Sequence, residues 1–121
     1  MVSDTYIGTD LVEVSRINSA IRDSGSRFID RIYTPIEQEY CNSKSTPSIH
    51  FAGRFAAKEA VMKALRSSGM KSPIPFSSIE VLSKSSGEPE VNLLLEYKGH
   101  CKVSISHTKK HAIASAICTV E

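Results

Sequence analysis

The stretch FAGRFAAKEAVMKAL at residues 51–65 constrains the fold more than any other part of the chain. It has no proline, its one glycine comes early and alanine is frequent, so it predicts a helix. Apolar side chains occupy most of its circumference, which is typical of a helix buried in a domain core. The rest of the chain must therefore cover this helix on nearly every side.

Four charged side chains interrupt the apolar surface of the central helix: Arg54, Lys58, Glu59 and Lys63. Charges on a buried helix are costly unless they are paired or bound to something. Glu59 and Lys63 share a face because they are four residues apart, as are Arg54 and Lys58. One carboxylate among three cations indicates a site for an anion, with or without a metal. The alternative is a solvated edge carrying an ordinary salt bridge.

The remaining chain predicts an α+β fold in one domain of residues 1–121, with a mainly antiparallel sheet. Helices cluster before strands, and both surround the long central helix. The predicted strands are 6–14, 79–82, 90–93, 102–107 and 112–120, and the other predicted helices are 15–24, 28–33 (or a turn there), 34–42 and a short one at 93–98. Residues 34–37, TPIE, carry the pattern of a capping box.

Two residues of the first predicted strand call for a special explanation. Gly8 predicts a bulge or a close approach of another backbone. Asp10 lies in mid-strand, where acidic residues are uncommon, so it indicates either a turn or edge position or a functional role.

Composition excludes several classes of protein. A net charge of +2 does not favour a general nucleic-acid binder, and no apolar run approaches the ~18 residues of a membrane span. The beginning, MVSDTYIGTDL, lacks the pattern of a signal peptide. Cys41, Cys101 and Cys118 are odd in number and widely spaced, which argues against a disulfide framework or zinc knuckle and for a reducing compartment. We therefore expect a soluble cytoplasmic protein.

Three short blocks in a fixed order carry a family resemblance: GTDLVEVSRI at 8–17, FAGRFAAKEAVMKAL at 51–65 and SISHT at 104–108. With TPIE at 34–37 and GEPEV at 87–91, the chain resembles the bacterial holo-(acyl carrier protein) synthases, the small class of 4′-phosphopantetheinyl transferases. That family moves 4′-phosphopantetheine from coenzyme A to a serine of apo acyl carrier protein for fatty acid biosynthesis, and it requires Mg2+. One departure is Thr9, where the first block usually has isoleucine.

The resemblance implies roles for particular residues. Asp10 and Glu59 would hold Mg2+ with the coenzyme A diphosphate, which agrees with the preference of Mg2+ for carboxylates and phosphates. Lys63, one turn beyond Glu59, would reach the same diphosphate, and Glu59 or a water that it orients would act as general base. The remaining residues expected to contact coenzyme A, chiefly at its 3′-phosphate and adenine end, are Arg54, Lys58, Ser106, His107 and Thr108.

The resemblance also implies a docking surface for the acidic carrier protein and a homotrimer with sites at the subunit interfaces. The expected docking residues are Arg16, Ile17, Arg22 and Arg27. Two alternatives stay open for these arginines: they form a solvated surface, or the protein is a non-catalytic module that binds an acidic partner. Acids within the core elements disfavour the module, because a docking surface has no use for them. For His107 alone, the alternative is an ordinary histidine at a strand end.

Overall fold

A computed structural model describes residues 4–121 and shows an α+β fold around one long helix, α4 (Pro47–Ser67). Before it come β1 (Asp4–Glu13), α1 (Val14–Ser24), α2 (Ser26–Ile32) and α3 (Pro35–Asn42). After it come a 3-10 turn (Phe76–Ser78) and four strands, β2 (Ile79–Ser83), β3 (Pro89–Leu93), β4 (Gly99–His107) and β5 (His111–Val120). The predicted class and the order of helices before strands are confirmed. Among these helices, none combines the length and the apolar character that a membrane span needs.

The strands form two antiparallel sheets. One has the order β1-β5-β4, so the apolar strand β5 is central, and the other is the hairpin β2-β3. One face of the larger sheet packs on α4, and a tight contact fixes their distance. A Cβ placed on Gly8 would lie 1.9 Å from the carbonyl oxygen of Ala60 in α4. The close backbone approach predicted at Gly8 is therefore confirmed.

The core has two parts, and α4 contributes to both. Its C-terminal half packs small residues such as Ala60 and Ala64 against both sheets. Its N-terminal end packs Phe51 and Ala52 against α1, α2 and α3. The short helix α3 enters this core through the predicted capping box, in which the Thr34 hydroxyl accepts from the Glu37 N–H and the Glu37 carboxylate accepts from the Thr34 N–H. The long helix is buried on nearly all sides, as its composition predicts.

Some boundaries differ from the sequence-based prediction. The helix predicted at 93–98 is wrong, because the Leu94 N–H donates to the carbonyl of Ser78 and continues the β2-β3 hairpin. Strand β4 begins at Gly99 rather than at 102, since its pairing with β5 extends to Gly99 opposite Val120. Helix α1 begins at Val14, so residue 15 is not its N-cap.

The sequence argued against a disulfide framework, but the structure contains one disulfide bond. Cys101 and Cys118 are 17 residues apart, yet they lie directly opposite one another on β4 and β5 with their Cα atoms 4.1 Å apart, and they are disulfide-bonded. Register, rather than spacing along the chain, brings them together. Cys41 is a free, buried thiol. The bond removes one of the arguments for a reducing compartment.

Replacing Gly8 by alanine should force β1 away from α4, because the new methyl group would overlap rigid helix backbone. We expect Gly8→Ala to lower the free energy of unfolding in urea by about 1–3 kcal/mol or more. The matched control is Gly53→Ala in α4, where the nearest atom is a side-chain methyl of Ile105 at 3.2 Å. That variant should be neutral or gain up to about 1 kcal/mol of helix propensity. Equal stability of the two variants would contradict the close-approach interpretation.

Candidate active site

An acidic cluster of Asp10 and Glu59, with Lys63 beside them, lies where β1 crosses α4. Lys63 on α4 donates from Nζ to the carbonyl of Thr9 at 2.9 Å and to Oδ1 of Asp10 at 3.4 Å. Asp10 points inward, because even-numbered residues of β1 face the helix, and Thr9 points outward. Thus Thr9 contributes its backbone to this cluster, and its side chain does not face it.

Glu59 lies next to this pair on α4 and is half-buried. Burial, followed by the nearby charge of Asp10, raises the pKa of the Glu59 carboxyl, and Lys63 partly offsets this effect. Lys63 is paired with Asp10, and no residue between 4 and 121 donates a hydrogen bond to the Glu59 side chain. Two carboxylates near one cation therefore leave a local excess of negative charge.

A cleft of about 350 Å³ opens beside these carboxylates. Asp10 and Glu59 lie at one side of it, and Arg16 of α1 lies at its rim. The aromatic rings of Phe28 and Phe55 also line the cleft and stack with their centroids 6.4 Å apart. The cleft thus combines carboxylates with an apolar wall, which suits a substrate having both charged and apolar parts.

The donor set fits a hard divalent cation only in part. Over residues 4–121, no group of three or more histidine, cysteine, aspartate or glutamate side chains is placed to hold a metal. Asp10 and Glu59 supply two oxygen ligand groups, and Mg2+ typically takes one or two carboxylates, with phosphates and waters completing its shell. These residues fit Mg2+ if a phosphate-bearing substrate brings the other ligands.

A second, smaller cleft of about 210 Å³ contains Arg54 and His107. Arg54 of α4 is almost fully buried, donates from Nη2 to Oγ of Ser83 at 2.8 Å and stacks on the ring of Tyr40, with its guanidinium carbon 4.0 Å from the centroid. His50 lies between the rings of Tyr40 and His107. The cleft is therefore a cationic and aromatic site, suited to an anion attached to a flat group.

The structure does not bring all the predicted contact residues into one cleft. Arg54 and Glu59 are five residues apart, which places them about 140° apart around α4. Ser106 is exposed on the face of β4 opposite to that of His107. Thr108 is exposed, and its hydroxyl oxygen accepts from the N–H groups of Lys110 and His111 in the turn before β5.

Lys58 does not face either cleft, contrary to the predicted contact with coenzyme A. Its ammonium group is fully buried, lies 2.7 Å from Oε1 of Glu37 and donates to the carbonyls of Phe76 and Ile79. Glu37 also accepts from the Val81 N–H at 2.6 Å. All three ammonium protons thus have protein partners, so this ion pair holds α3, α4 and β2 together instead of presenting a charge to a ligand.

The predicted docking residues occupy different environments. Arg16 is exposed at the rim of the first cleft, and Arg27 lies beside Phe28 in a neighbouring cleft of about 350 Å³. Arg22 is exposed, pairs with Asp23 at 3.5 Å and lies about 120° around α1 from Arg16. Ile17 is only 4% exposed and packs in the core, so it cannot extend towards a partner as the predicted apolar anchor.

Four cleft residues were not predicted from the sequence: Tyr40, His50, Phe28 and Phe55. Tyr40 and His50 lie on α3 and at the start of α4, and only the packing of these helices brings them to Arg54. Phe55 carried a usable signal, since it lies one turn before Glu59 on the same face of the central helix.

Comparisons with known proteins identify the family of this chain. The family model of the 4'-phosphopantetheinyl transferase superfamily matches residues 6–118. A holo-[acyl-carrier-protein] synthase of Chlamydia pneumoniae is 47% identical over 119 residues, covering 93% of this chain and 94% of that protein. One of Chlamydia caviae is 45% identical over 120 residues, covering 95% and 97%.

Solved structures show the same fold. The holo-(acyl-carrier-protein) synthase of Bacillus anthracis in complex with CoA (3',5'-ADP) superposes with a TM-score of 0.83 at 29% identity, covering 99% of this chain and 100% of that one. The Helicobacter pylori holo-[acyl-carrier-protein] synthase in complex with coenzyme A gives 0.78 at 29% identity, covering 93% and 98%.

A fold that places two carboxylates and a lysine where β1 crosses a buried helix, together with the matched family model, defines the class as a 4'-phosphopantetheinyl transferase. Within that superfamily, the chain belongs to the holo-[acyl-carrier-protein] synthases. The resemblance carried by the three sequence blocks is confirmed.

The two lysines of α4 should respond differently to removal of their charge. Lys58→Met leaves the buried Glu37 carboxylate unpaired, which should cost about 3–5 kcal/mol of unfolding free energy. Lys63→Met removes an exposed pair with Asp10 and should cost about 1 kcal/mol or less. Urea denaturation followed by circular dichroism measures both. Were Lys58 a ligand-binding residue rather than a structural one, its variant would be about as stable as the wild type.

Proposed function

We propose that this protein transfers the 4′-phosphopantetheine arm of coenzyme A to a serine of an apo acyl carrier protein and releases adenosine 3′,5′-bisphosphate. The observation that carries this proposal is the cluster of Asp10, Glu59 and Lys63, which joins two family blocks that are far apart in sequence. Related proteins carry this activity in their names, and three have been solved with coenzyme A or its nucleotide. The reaction supports fatty acid biosynthesis in our proposal.

Asp10 and Glu59 would hold a Mg2+ ion, since their oxygens are the hard ligands that this ion prefers and their mutual repulsion needs a cation to offset it. When bound, Mg2+ supplies positive charge that stabilises the diphosphate and aligns it for transfer.

The residues of the chain itself provide acid and base groups. Glu59, which lines the first cleft beside Asp10, is the candidate general base for the attacking serine hydroxyl, directly or through a water that it orients. Lys63 is charged and partly exposed, so it can stabilise the bisphosphate that departs or donate a proton to it. No nucleophile from this chain is required, and Cys41 takes no part.

The nucleotide end of coenzyme A would lie in the second cleft. Arg54 and His107 are the groups proposed to bind its 3′-phosphate, since both line that cleft and both can carry positive charge. Thr108 follows at the end of β4 and offers its hydroxyl proton. Lys58 has no such role here, because its donors are occupied within the core.

We infer a homotrimer, which is the assembly that the family implies, and the apolar, uncovered outer face of the larger sheet supports an interface between subunits. The exposed fractions are 70% for Ile7, 63% for Leu11, 42% for Ile113 and 50% for Ile117. These residues pair across β1 and β5, Ile7 with Ile117 and Leu11 with Ile113, so they form one patch. An exposed patch of this kind marks an interface. Assembly would also allow the two clefts, which face different sides of α4, to meet across subunits.

The carrier protein is proposed to dock at the rim of the first cleft. Arg16 lies on that rim beside the carboxylates, and Arg27 lies nearby on α2 next to Phe28. Since acyl carrier proteins are acidic, these arginines would steer encounter. Phe28 replaces Ile17 as the candidate apolar anchor, because Ile17 is buried.

The location of the protein in the cytoplasm remains a prediction.

The activity assay is a mass measurement on the carrier protein. Incubation of apo acyl carrier protein with coenzyme A, Mg2+ and this protein should add about 340 Da, the mass of the phosphopantetheine arm, and EDTA should prevent it because the transfer depends on metal. Intact-mass spectrometry follows the product. No mass gain over several apo carriers would refute the proposed function.

The same assay tests the two site carboxylates when each is removed in turn. Asp10→Ala and Glu59→Ala should each abolish most transfer, with Glu59→Ala the more severe if that residue is also the base. Glu90→Ala on β3 serves as a matched control, since that carboxylate is exposed and pairs with Lys84. A near-normal rate of either site variant at saturating Mg2+ would refute its role.

The docking surface is tested by charge reversal. Arg16→Glu should raise the apparent KM for the carrier protein far more than that for coenzyme A, because it repels the acidic partner. Transfer by the wild type should weaken as ionic strength rises beyond ~0.15 M, where the Debye length is about 8 Å. Steady-state kinetics with each substrate varied in turn measures both effects.

Lys71→Glu is the matched control for Arg16→Glu, since it reverses an exposed positive charge in the loop after α4. It should leave the KM for the carrier protein near the wild-type value. If Arg16→Glu leaves the carrier KM and the salt dependence unchanged, the docking surface lies elsewhere.

A further inference from the structure

Three aromatic rings form a continuous row along one wall of the second cleft. The ring of His50 lies edge-on to that of Tyr40 on one side and to that of His107 on the other, with both centroid distances 5.9 Å. His50 is not among the site residues that the family resemblance implies. Its place in the row puts its imidazole next to His107, and Arg54, the other residue proposed to bind the nucleotide phosphate, lines the same cleft.

Arg54 gives an independent sign that a ligand belongs in this cleft. The residue is only 6% exposed, and its Nε is buried without a hydrogen-bond partner. Its Nη2 donates to Ser83, and Tyr40 stacks on the guanidinium plane, so the group is held rigidly. A buried donor that lacks a partner is costly, and a phosphate oxygen would satisfy it.

The charges around His50 all have the same sign. The cations are Lys44 in the turn after α3, Arg54 on α4 and, when protonated, His107 on β4, while Tyr40 faces His50 from α3 with its ring. Among the described residues that line the cleft there is no carboxylate. Burial first, and then these cations, lower the pKa of His50, so the imidazole is largely neutral near pH 7 when the cleft is free.

We propose that His50 is a specificity-determining residue, which takes up a proton when coenzyme A binds and donates a hydrogen bond to the phosphate monoester at its nucleotide end, together with Arg54 and His107. This inference rests on the proposed function and extends it to a residue of this chain. A dianion placed among these cations reverses the field that keeps the imidazole neutral. By linkage, phosphate binding and proton uptake by His50 then favour each other.

The consequence is a preference for coenzyme A over 3′-dephospho-coenzyme A that depends on pH. His50 should contribute most at the acidic end of the neutral range, where its protonation costs least, and little at pH 8. The phosphate of the substrate also titrates near pH 6. That titration is common to all variants. The contribution of His50 is therefore the preference for coenzyme A in the wild type compared with the preference in a His50 variant at the same pH.

The experiment measures kcat/KM for coenzyme A and for 3′-dephospho-coenzyme A at pH 6.5 and pH 8.0. His50→Phe keeps a ring between Tyr40 and His107 but removes the proton. It should reduce the preference for coenzyme A about tenfold at pH 6.5, as expected for loss of one charge-assisted hydrogen bond, and less than about twofold at pH 8.0. Turnover of the dephospho substrate should stay unchanged.

His100→Phe is the matched control, since His100 is exposed on β4 and pairs with Glu121. It should leave the preference at both pH values as in the wild type. His50→Gln, which keeps a neutral donor, should restore part of the preference and remove its pH dependence. If the melting temperature shows that His50→Phe does not fold, His50→Gln serves as the test variant in its place.

An unchanged preference in the His50 variants would overturn the proposal, and so would an equal loss for both substrates, which would indicate a purely structural role. Direct binding separates this result from failure of the proposed function. Calorimetry with adenosine 3′,5′-bisphosphate and with adenosine 5′-monophosphate tests the phosphate preference without any turnover. A wild type that binds the bisphosphate better, with the preference lost in the His50 variants, supports the inference even if no transfer occurs. Equal binding of both nucleotides by the wild type refutes it.

Discussion

The structure depends on the contact between the backbone of β1 at Gly8 and the backbone of α4 at Ala60. No side chain fits between them, since a methyl group on Gly8 would overlap the helix carbonyl. This contact sets how closely the larger sheet approaches the helix, and the small residues of α4 and β5 fill the space that is left. It also fixes where Asp10, two residues later, lies relative to Glu59 and Lys63. One steric constraint thus determines both the packing of the core and the spacing of the acidic cluster.

The sequence predicted those features that depend on residues close together in the chain. The composition of the central helix, the capping box at Thr34 and Glu37, and the acid within β1 were all interpretable from neighbouring residues. Contacts between residues far apart in the chain could not be predicted in this way. Lys58 was expected to face a ligand, because its partner Glu37 lies in another helix and nothing in the sequence links them. The Cys101–Cys118 bond was missed for a similar reason, since only the register of β4 and β5 places the two residues opposite each other.

The candidate site divides in the same way. Residues in the three family blocks were found by resemblance. The aromatic residues of the two clefts lie mostly outside those blocks, and Phe55 is the exception. Tyr40 and His50 meet Arg54 only after α3 and α4 pack, so their contribution could not be derived from spacing. Conversely, Ile17 has the right position on α1 but points into the core. Packing decides which polar and apolar residues of a helix remain available to a partner.

Strand β1 exposes a different property on each of its two faces. Its even-numbered residues, among them Gly8 and Asp10, face α4, while Ile7 and Leu11 project from the outer face of the sheet. If that outer face is covered by neighbouring subunits, the strand that carries Asp10 is held from both sides. Dissociation would then loosen an acidic ligand without unfolding the chain, so specific activity would fall on dilution at concentrations where the secondary structure is still intact.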